Sequence, residues 1–195
     1  MTTAAIIAGG QATRLGGADK SGLIVMGQTI LQRQLAVLAP LVDEILIVVD
    51  CEERGMRFAD LGIPVHVDRV HGAGALGGIY TALECASSDR VLTIACDLPF
   101  LDGGLLALLI ERSAHADGAW VKTPRGAEPL LACYQRAAGT VMRQAIDAGR
   151  LKAADLSLVL RIEEVGLWEV ARFGPPDRLL TNVNTPDEYA RVAGG

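Results

Sequence analysis

The stretch Ile6-Ile-Ala-Gly-Gly-Gln-Ala-Thr-Arg-Leu-Gly-Gly-Ala-Asp-Lys20 carries the residue types that bind phosphate. Gly9 and Gly10 let the backbone approach a ligand and turn its N–H groups inward, while Arg14 and Lys20 add full positive charges suited to phosphate oxygens. Such a loop has the charge to neutralise a triphosphate. It is not a G-x-x-x-x-G-K-[ST] phosphate loop, because Asp19 stands where glycine must precede the lysine. The second chemically suggestive residue is Asp97, which follows the apolar run Val91–Cys96 and so stands at the mouth of a buried strand. One carboxylate there suffices for Mg²⁺, which keeps several waters and bridges substrate phosphates. Asp50 and Asp68 also end apolar runs and could line the same cleft. The plainer reading for all three acids is that they cap the following helix or face water.

A second glycine cluster, Gly72-Ala-Gly-Ala-Leu-Gly77, matches the G-x-G-x-x-G dinucleotide pattern, and Asp97 supplies an acid at about the 20-residue spacing that pattern needs. With 22 glycines in the chain a lone match is weak, so an NAD(P)-binding oxidoreductase is the lesser reading. His66, His71 and His115 show no zinc spacing and no Ser or Cys nucleophile partner. Cys51, Cys85, Cys96 and Cys133 form no C-x-x-C pair and are expected as reduced core thiols. Trp120, Trp168, Phe58, Phe100 and Phe173 form no stacking array and are expected mostly in the core, and Glu52–Arg57 reads as a solvated helix face.

These loops need a scaffold. Strand-length apolar runs recur at Ala4–Ala8, Ile45–Val49, Val65–Val67 and Val91–Cys96, with segments of helical spacing between them. Leu31, Leu35 and Leu38 mark a helix that Thr29 could cap; Ile79, Leu83 and Ala86 mark another; both would cover one face of a sheet. Near-continuous apolar strands joined by helices predict a doubly wound, Rossmann-like α/β fold with a mainly parallel sheet and helices on both faces. Further along, Ala119–Lys122, Leu130–Tyr134 and Val159–Val165 read as strands and Ala137–Ala148 as a helix, without an order in the sheet. A closing helix through Val192 should start with Thr185 as N-cap and Pro186 at its first position.

At 195 residues one domain, 1–195, is expected. A formal net charge of −5 and the lack of any Lys/Arg cluster exclude a nucleic-acid backbone as partner. No apolar run reaches membrane-spanning length and the N-terminus has no basic signal region, so a cytoplasmic protein with no membrane partner is expected.

Ile7-Ala-Gly-Gly with Arg14, Gly16, Gly17, Asp19 and Lys20 resembles the nucleotide-binding signature of the GT-A-like nucleotidyltransferases. Together with Gly74–Gly78, Cys96-Asp-Leu-Pro-Phe100, Glu128-Pro-Leu-Leu-Ala-Cys-Tyr134 and Asn182-Val-Asn-Thr-Pro186, the chain resembles the molybdenum cofactor guanylyltransferase (MobA) family along nearly its whole length. That resemblance implies transfer of GMP from GTP to molybdenum-bound molybdopterin, with Mg²⁺ as cofactor. It implies that Ile7, Ala8 and Gly9 contact GTP, that Lys20 binds it electrostatically, that Asp68 belongs to the nucleotide site, and that Asp97 holds Mg²⁺. Asn182 and Asn184 would face the molybdopterin. Gly10, Arg14 and Asp50 complete the candidate set, Asp50 at a place where the family usually has Asn. Molybdoenzyme chaperones or other cofactor-biosynthesis proteins become candidate partners. Within the fold, a cytidylyl or sugar-nucleotide transferase is the nearest alternative.

Overall fold

The computed structural model describes residues 1–9 and 20–193, with the Lys20 side chain outside that set. Gly10 and Arg14 lie outside the described residues. The chain runs β1 (Thr2–Ile7), β2 (Ile24–Val25), β3 (Gln28–Thr29), α1 (Ile30–Leu38), β4 (Glu44–Val49), α2 (Glu52–Gly55), β5 (Val65–Val67), α3 (Gly74–Cys85) and β6 (Arg90–Ala95). It continues α4 (Gly103–Ser113), β7 (Gly118–Thr123), β8 (Gly126–Gln135), α5 (Gly139–Asp147), β9 (Ile162–Gly166), α6 (Leu167–Val170), α7 (Pro176–Leu179) and α8 (Pro186–Ala193).

Seven strands form one sheet in the order β5-β4-β1-β6-β8-β7-β9. β5, β4, β1 and β6 are mutually parallel, and β8 alone runs antiparallel to both its neighbours before β9 pairs parallel with β7. The mainly parallel, doubly wound sheet matches the sequence expectation. Alternation of side chains sorts the core into two layers. Ala4, Ile6, Ile47, Leu92 and Ile94 pack under α1 and α4, whereas Ala5, Ile7, Leu46, Val48 and Val91 pack under α3 and α5. The helices expected together over one face thus divide between both. Each is needed, because a parallel strand buried on two sides must be covered twice.

Thr29 caps α1 as expected, its hydroxyl accepting from the Gln32 N–H while Gln32 reaches back to the Thr29 N–H. α4 has no counterpart in the sequence reading. Its start was legible in Asp102, whose carboxylate accepts from the N–H groups of Gly104 and Leu105, and in the buried stripe Leu105, Leu106, Leu109. The strand expected at Val159–Val165 begins only at Ile162, because a 3₁₀ helix over Ala153–Leu158 ends at Val159. The four cysteines form no disulfide among the described residues; Cys133 is buried and burial pushes its thiol up to about 11, while Cys51, Cys85 and Cys96 are half-buried. Trp120 and Phe58 belong to the core, but Trp168 is 73% exposed. Among the described residues no helix is long and apolar enough to cross a membrane.

A smaller apolar cluster lies beside the main core. Val25 and Ile30 pack against Val183 and Val192, which seats the closing helix α8 on the β2–β3 hairpin. The hairpin turns through Met26 and Gly27 at φ 51° and 81°, the two-residue geometry that suits a tight antiparallel pair. Tyr189 donates to the Ile24 carbonyl at 3.0 Å and holds the two pieces together.

Candidate active site

Strand order reverses between β1, which leads to β4 on one side, and β6 on the other, the place where open α/β sheets bind ligands, and a pocket lies beyond the carboxyl end of β6. Of the described candidates, Ile7, Ala8, Gly9, Asp50, Asp68 and Asp97 lie at or just beyond the carboxyl ends of β1, β4, β5 and β6. Ile7 ends β1 and Ala8 follows it; both are buried, and the Ala8 N–H donates to the Val48 carbonyl at 2.7 Å, so the backbone leaves the strand from a fixed point. Gly9 follows against Asp50: a Cβ there would sit 3.6 Å from the Asp50 Cβ. Arg54 donates to Asp50 Oδ1 at 2.9 Å and to the Ala8 carbonyl at 3.3 Å. One guanidinium from α2 therefore ties the base of the first loop to the end of β4.

Asp68 ends β5, the edge strand, and its carboxylate is committed to its own turn. Oδ1 accepts from the Val70 N–H at 2.9 Å and from the Thr81 hydroxyl at 3.0 Å. A Cβ on Gly77 would lie 2.7 Å from Asp68 Oδ2, and one on Gly78 would lie 2.8 Å from Ile7 Cγ2. The second glycine cluster thus lets α3 press onto β1 and onto the β5 turn. Because β5 is the outermost strand, this cluster does not follow the strand at which the order reverses, which argues against the dinucleotide reading.

Asp97 follows β6 and is only 9% exposed. The surrounding loop is held by α1: Gln34, itself buried, donates to the carbonyls of Ala95 and Leu98 at 2.8 and 3.0 Å, and Arg33 donates to Pro99 O at 2.9 Å. From the other side the Val183 N–H donates to the Asp97 carbonyl at 3.0 Å. That bond brings Asn182 and Asn184 to Asp97, a juxtaposition no sequence spacing announces. The segment is fixed in turn by α8, where Glu188 accepts from the N–H groups of Asn184 and Thr185 at 2.7 and 3.0 Å while Thr185 Oγ1 accepts from the Glu188 N–H at 3.2 Å. This capping box confirms Thr185 as N-cap, and the Asn184 N–H, with the other bonds, holds the Glu188 carboxyl below its ordinary value.

Two voids meet here. A pocket of about 220 Å³ is lined by Asp97, Ala75 of the first turn of α3, Glu128, Leu180, Asn182 and Asn184, among others. A larger cavity of about 960 Å³ adjoins it and shares Glu128, Leu180, Asn182 and Asn184, with Phe100, Arg125, Arg178 and Arg191 on its remaining walls. Glu128 reaches this junction through a bulge. Trp120 and Val121, adjacent on β7, face Ala132 and Glu128 on β8, so the intervening residues swing out of the β7 pairing, and Pro129 is tolerated there. Burial pushes the Glu128 carboxyl above its ordinary value, Arg125 opposes the shift and the charge of Asp97 adds to it. Gln34, Arg54, Glu128 and the three cavity arginines were not singled out as site residues from sequence, because only the tertiary fold delivers them. Among the described residues no three His, Cys, Asp or Glu side chains gather as a metal cage.

The chain matches the MobA-like NTP transferase domain over residues 4–161. It is 33% identical over 200 residues to a Chloroflexus aggregans protein named "Probable molybdenum cofactor guanylyltransferase", covering 98% of this chain and 93% of that one. It is 27% identical to the molybdenum cofactor guanylyltransferase of Shewanella woodyi, covering 97% and 94%. In fold it is similar to the molybdopterin-guanine dinucleotide biosynthesis protein A of Archaeoglobus fulgidus, with a TM-score of 0.83 and 24% identity over 100% of this chain and 97% of that one. With a glycine-rich sequence after its first strand, a buried acid beyond β6 and a family match over most of its length, this chain belongs to the MobA-like NTP transferase family.

Proposed function

We propose that this protein, as one nucleotidyltransferase domain, transfers GMP from GTP to the phosphate of molybdenum-bound molybdopterin, forming the guanine dinucleotide cofactor and releasing pyrophosphate. The observation that carries this reading is the tether between the Asp97 carbonyl and Val183, which gives two adjoining voids one shared wall of Asn182 and Asn184. A transferase needs such a plan: donor and acceptor must meet at one point without sharing one pocket. The names carried by its relatives supply the identities of the two substrates.

An oxygen of the acceptor phosphate attacks the α-phosphorus of GTP in line; that P–O bond forms as the bond to the bridging oxygen breaks, and pyrophosphate carries away the electron pair. The nucleophile is already an anion, so positioning and charge stabilisation dominate and a strong base is dispensable. The backbone of Ile7, Ala8, Gly9 and Gly10 cradles the triphosphate, and Arg14 and Lys20 offset the charge that builds on the leaving group. Asp50, held by Arg54, and Asp68, braced in the turn into α3, border the nucleotide side. Asn182 and Asn184 orient the acceptor. A buried carboxylate flanked by amide side chains is a hard, sparse oxygen donor set, which fits Mg²⁺ better than a metal needing a full protein cage. Asp97 would hold that ion, whose chemistry is to neutralise phosphate oxygens. The cytoplasm, where thiols stay reduced, suits four cysteines that form no disulfide among the described residues.

The test is pyrophosphate release from GTP and from CTP, with Mg²⁺ and molybdenum-loaded molybdopterin, against a control without pterin. Pterin-dependent release with GTP alone is the expected result. Release with CTP alone would keep the fold and mechanism and overturn the base; release with neither would overturn the reaction.

A further inference from the structure

The larger cavity has walls that the transfer itself does not use. Arg125, Arg178 and Arg191 line it, and none of them lines the pocket around Asp97. They come from three separate pieces of chain, the β7–β8 turn, α7 and α8, and the side chains of Arg178 and Arg191 are each held by a neighbour. The backbone N–H of Arg125 donates to Thr123 Oγ1 at 3.2 Å and fixes its turn, the Arg178 guanidinium lies 4.7 Å from the centre of the Phe100 ring, and Arg191 Nε donates to the Asp187 carbonyl at 3.2 Å.

None of the three guanidinium groups makes a direct ion pair with a described residue. The cavity's own acids are Glu128, Asp177 and Glu188. Glu188 is spent on the N–H groups of Asn184 and Thr185, and Glu128 forms no ion pair with any of the three arginines. Arg125 and Arg191 act on Glu128 and Glu188 only through space. Three planar donor groups around one cavity, without direct carboxylate partners, are what recognition of an oxyanion requires.

We infer that Arg125, Arg178 and Arg191 form a subsite for the end of the acceptor remote from its reacting phosphate, the negatively charged metal–oxo end. This rests on the acceptor assignment proposed above. The reacting phosphate belongs at the junction with the Asp97 pocket, so the arginines meet a part of the acceptor that undergoes no bond change. Their contribution is uniform binding, felt in acceptor affinity and not in the chemical step. They thereby favour metal-loaded over metal-free acceptor, because only the loaded one carries the anionic metal–oxo group that three guanidinium groups can pair with.

The experiment is anaerobic equilibrium binding of molybdenum-loaded and metal-free molybdopterin, without nucleotide, to the parent, to Arg178→Ala/Arg191→Ala, and to the Arg→Lys pair. GTP affinity and circular dichroism serve as controls. The double alanine variant should bind loaded acceptor about ten-fold or more weakly and metal-free acceptor within about two-fold of the parent, with partial recovery by lysine. Its GTP affinity should be unchanged. Equal losses for both acceptors, parental binding of the loaded one, or failure of the parent to bind it would each overturn the subsite. If the parent binds with the expected discrimination yet releases no pyrophosphate with GTP, the reaction assignment falls and the subsite stands.

Discussion

The two adjoining voids are built from different material. The small pocket is bounded by the ends of core strands and by a loop pinned from Gln34 and Val183, so its Asp97 is placed by the most deeply packed part of the molecule. Much of the large cavity is bounded by surface pieces, the β7–β8 turn and the short helices α7 and α8, whose arginines are exposed. Groups that stabilise a transition state gain from rigid placement, whereas groups that choose a substrate only need to be present at its periphery. Substitutions in the two regions should therefore separate into losses of turnover and losses of acceptor affinity.

The sharpest break of that contrast is Asp97→Ala. Pyrophosphate release should fall about 100-fold or more at saturating substrates, with the circular dichroism spectrum unchanged, because the tether to Val183 uses the backbone carbonyl and survives the substitution. Turnover equal to the parent would remove Asp97 from the chemistry. The next effect is structural. In Gly78→Val the added Cβ would lie 2.8 Å from Ile7 Cγ2, with two further methyl carbons to place, so α3 must lift from β1. Denaturant unfolding should show a loss of about 1–3 kcal/mol or an insoluble protein.

Much of the scaffold was readable in the residues. Ala4–Ala8, Ile45–Val49 and Val91–Cys96 are mostly apolar because both faces of their strands are covered, whereas at the edge strand Val65 and Val67 pack on one layer only; that demand is local enough to see in one dimension. Thr29 and Thr185 announced helix starts for the same reason, since a cap lies within three residues of what it satisfies. The antiparallel placement of β8 between β6 and β7 was not readable. It depends on a bulge that lets Glu128 and Ala132 face neighbouring residues, and nothing in the local pattern states a pairing partner. The site divides likewise. Asp97 was visible as a strand-end acid, but Gln34, 63 positions earlier, and Val183, 86 later, meet it only through the fold. Asp68 was visible as an acid, yet its engagement with Thr81 was not.

A milder probe sharpens the periphery. Thr185→Ala removes the hydroxyl that accepts from the Glu188 N–H and should cost about 1 kcal/mol of local stability, read as faster hydrogen exchange in α8 with the sheet unaffected. Acceptor affinity should weaken more than turnover. The smallest expected effect is with pH. The Glu188 carboxyl titrates below its ordinary value in the folded chain, so its contribution is present above the unfolded pKa and is lost as pH falls through the folded one. Between neutrality and acid, α8 exchange should rise in the parent more than in Glu188→Gln; identical profiles would disconnect the cap from the tail.

The hydrogen bond from Val183 to the Asp97 carbonyl also sets an order of events in the life of the molecule. All seven sheet strands have been synthesised by Gly166, but of the wall shared by the two voids only Glu128 belongs to them, and Leu180, Asn182 and Asn184 lie beyond them in the chain. A nascent chain can therefore assemble its hydrophobic layers before it has anything to orient an acceptor with. A premature stop or a proteolytic cut shortly before Asn182 should leave a folded sheet that holds nucleotide without passing it on, so that loss of the tail silences transfer while leaving the donor side occupied.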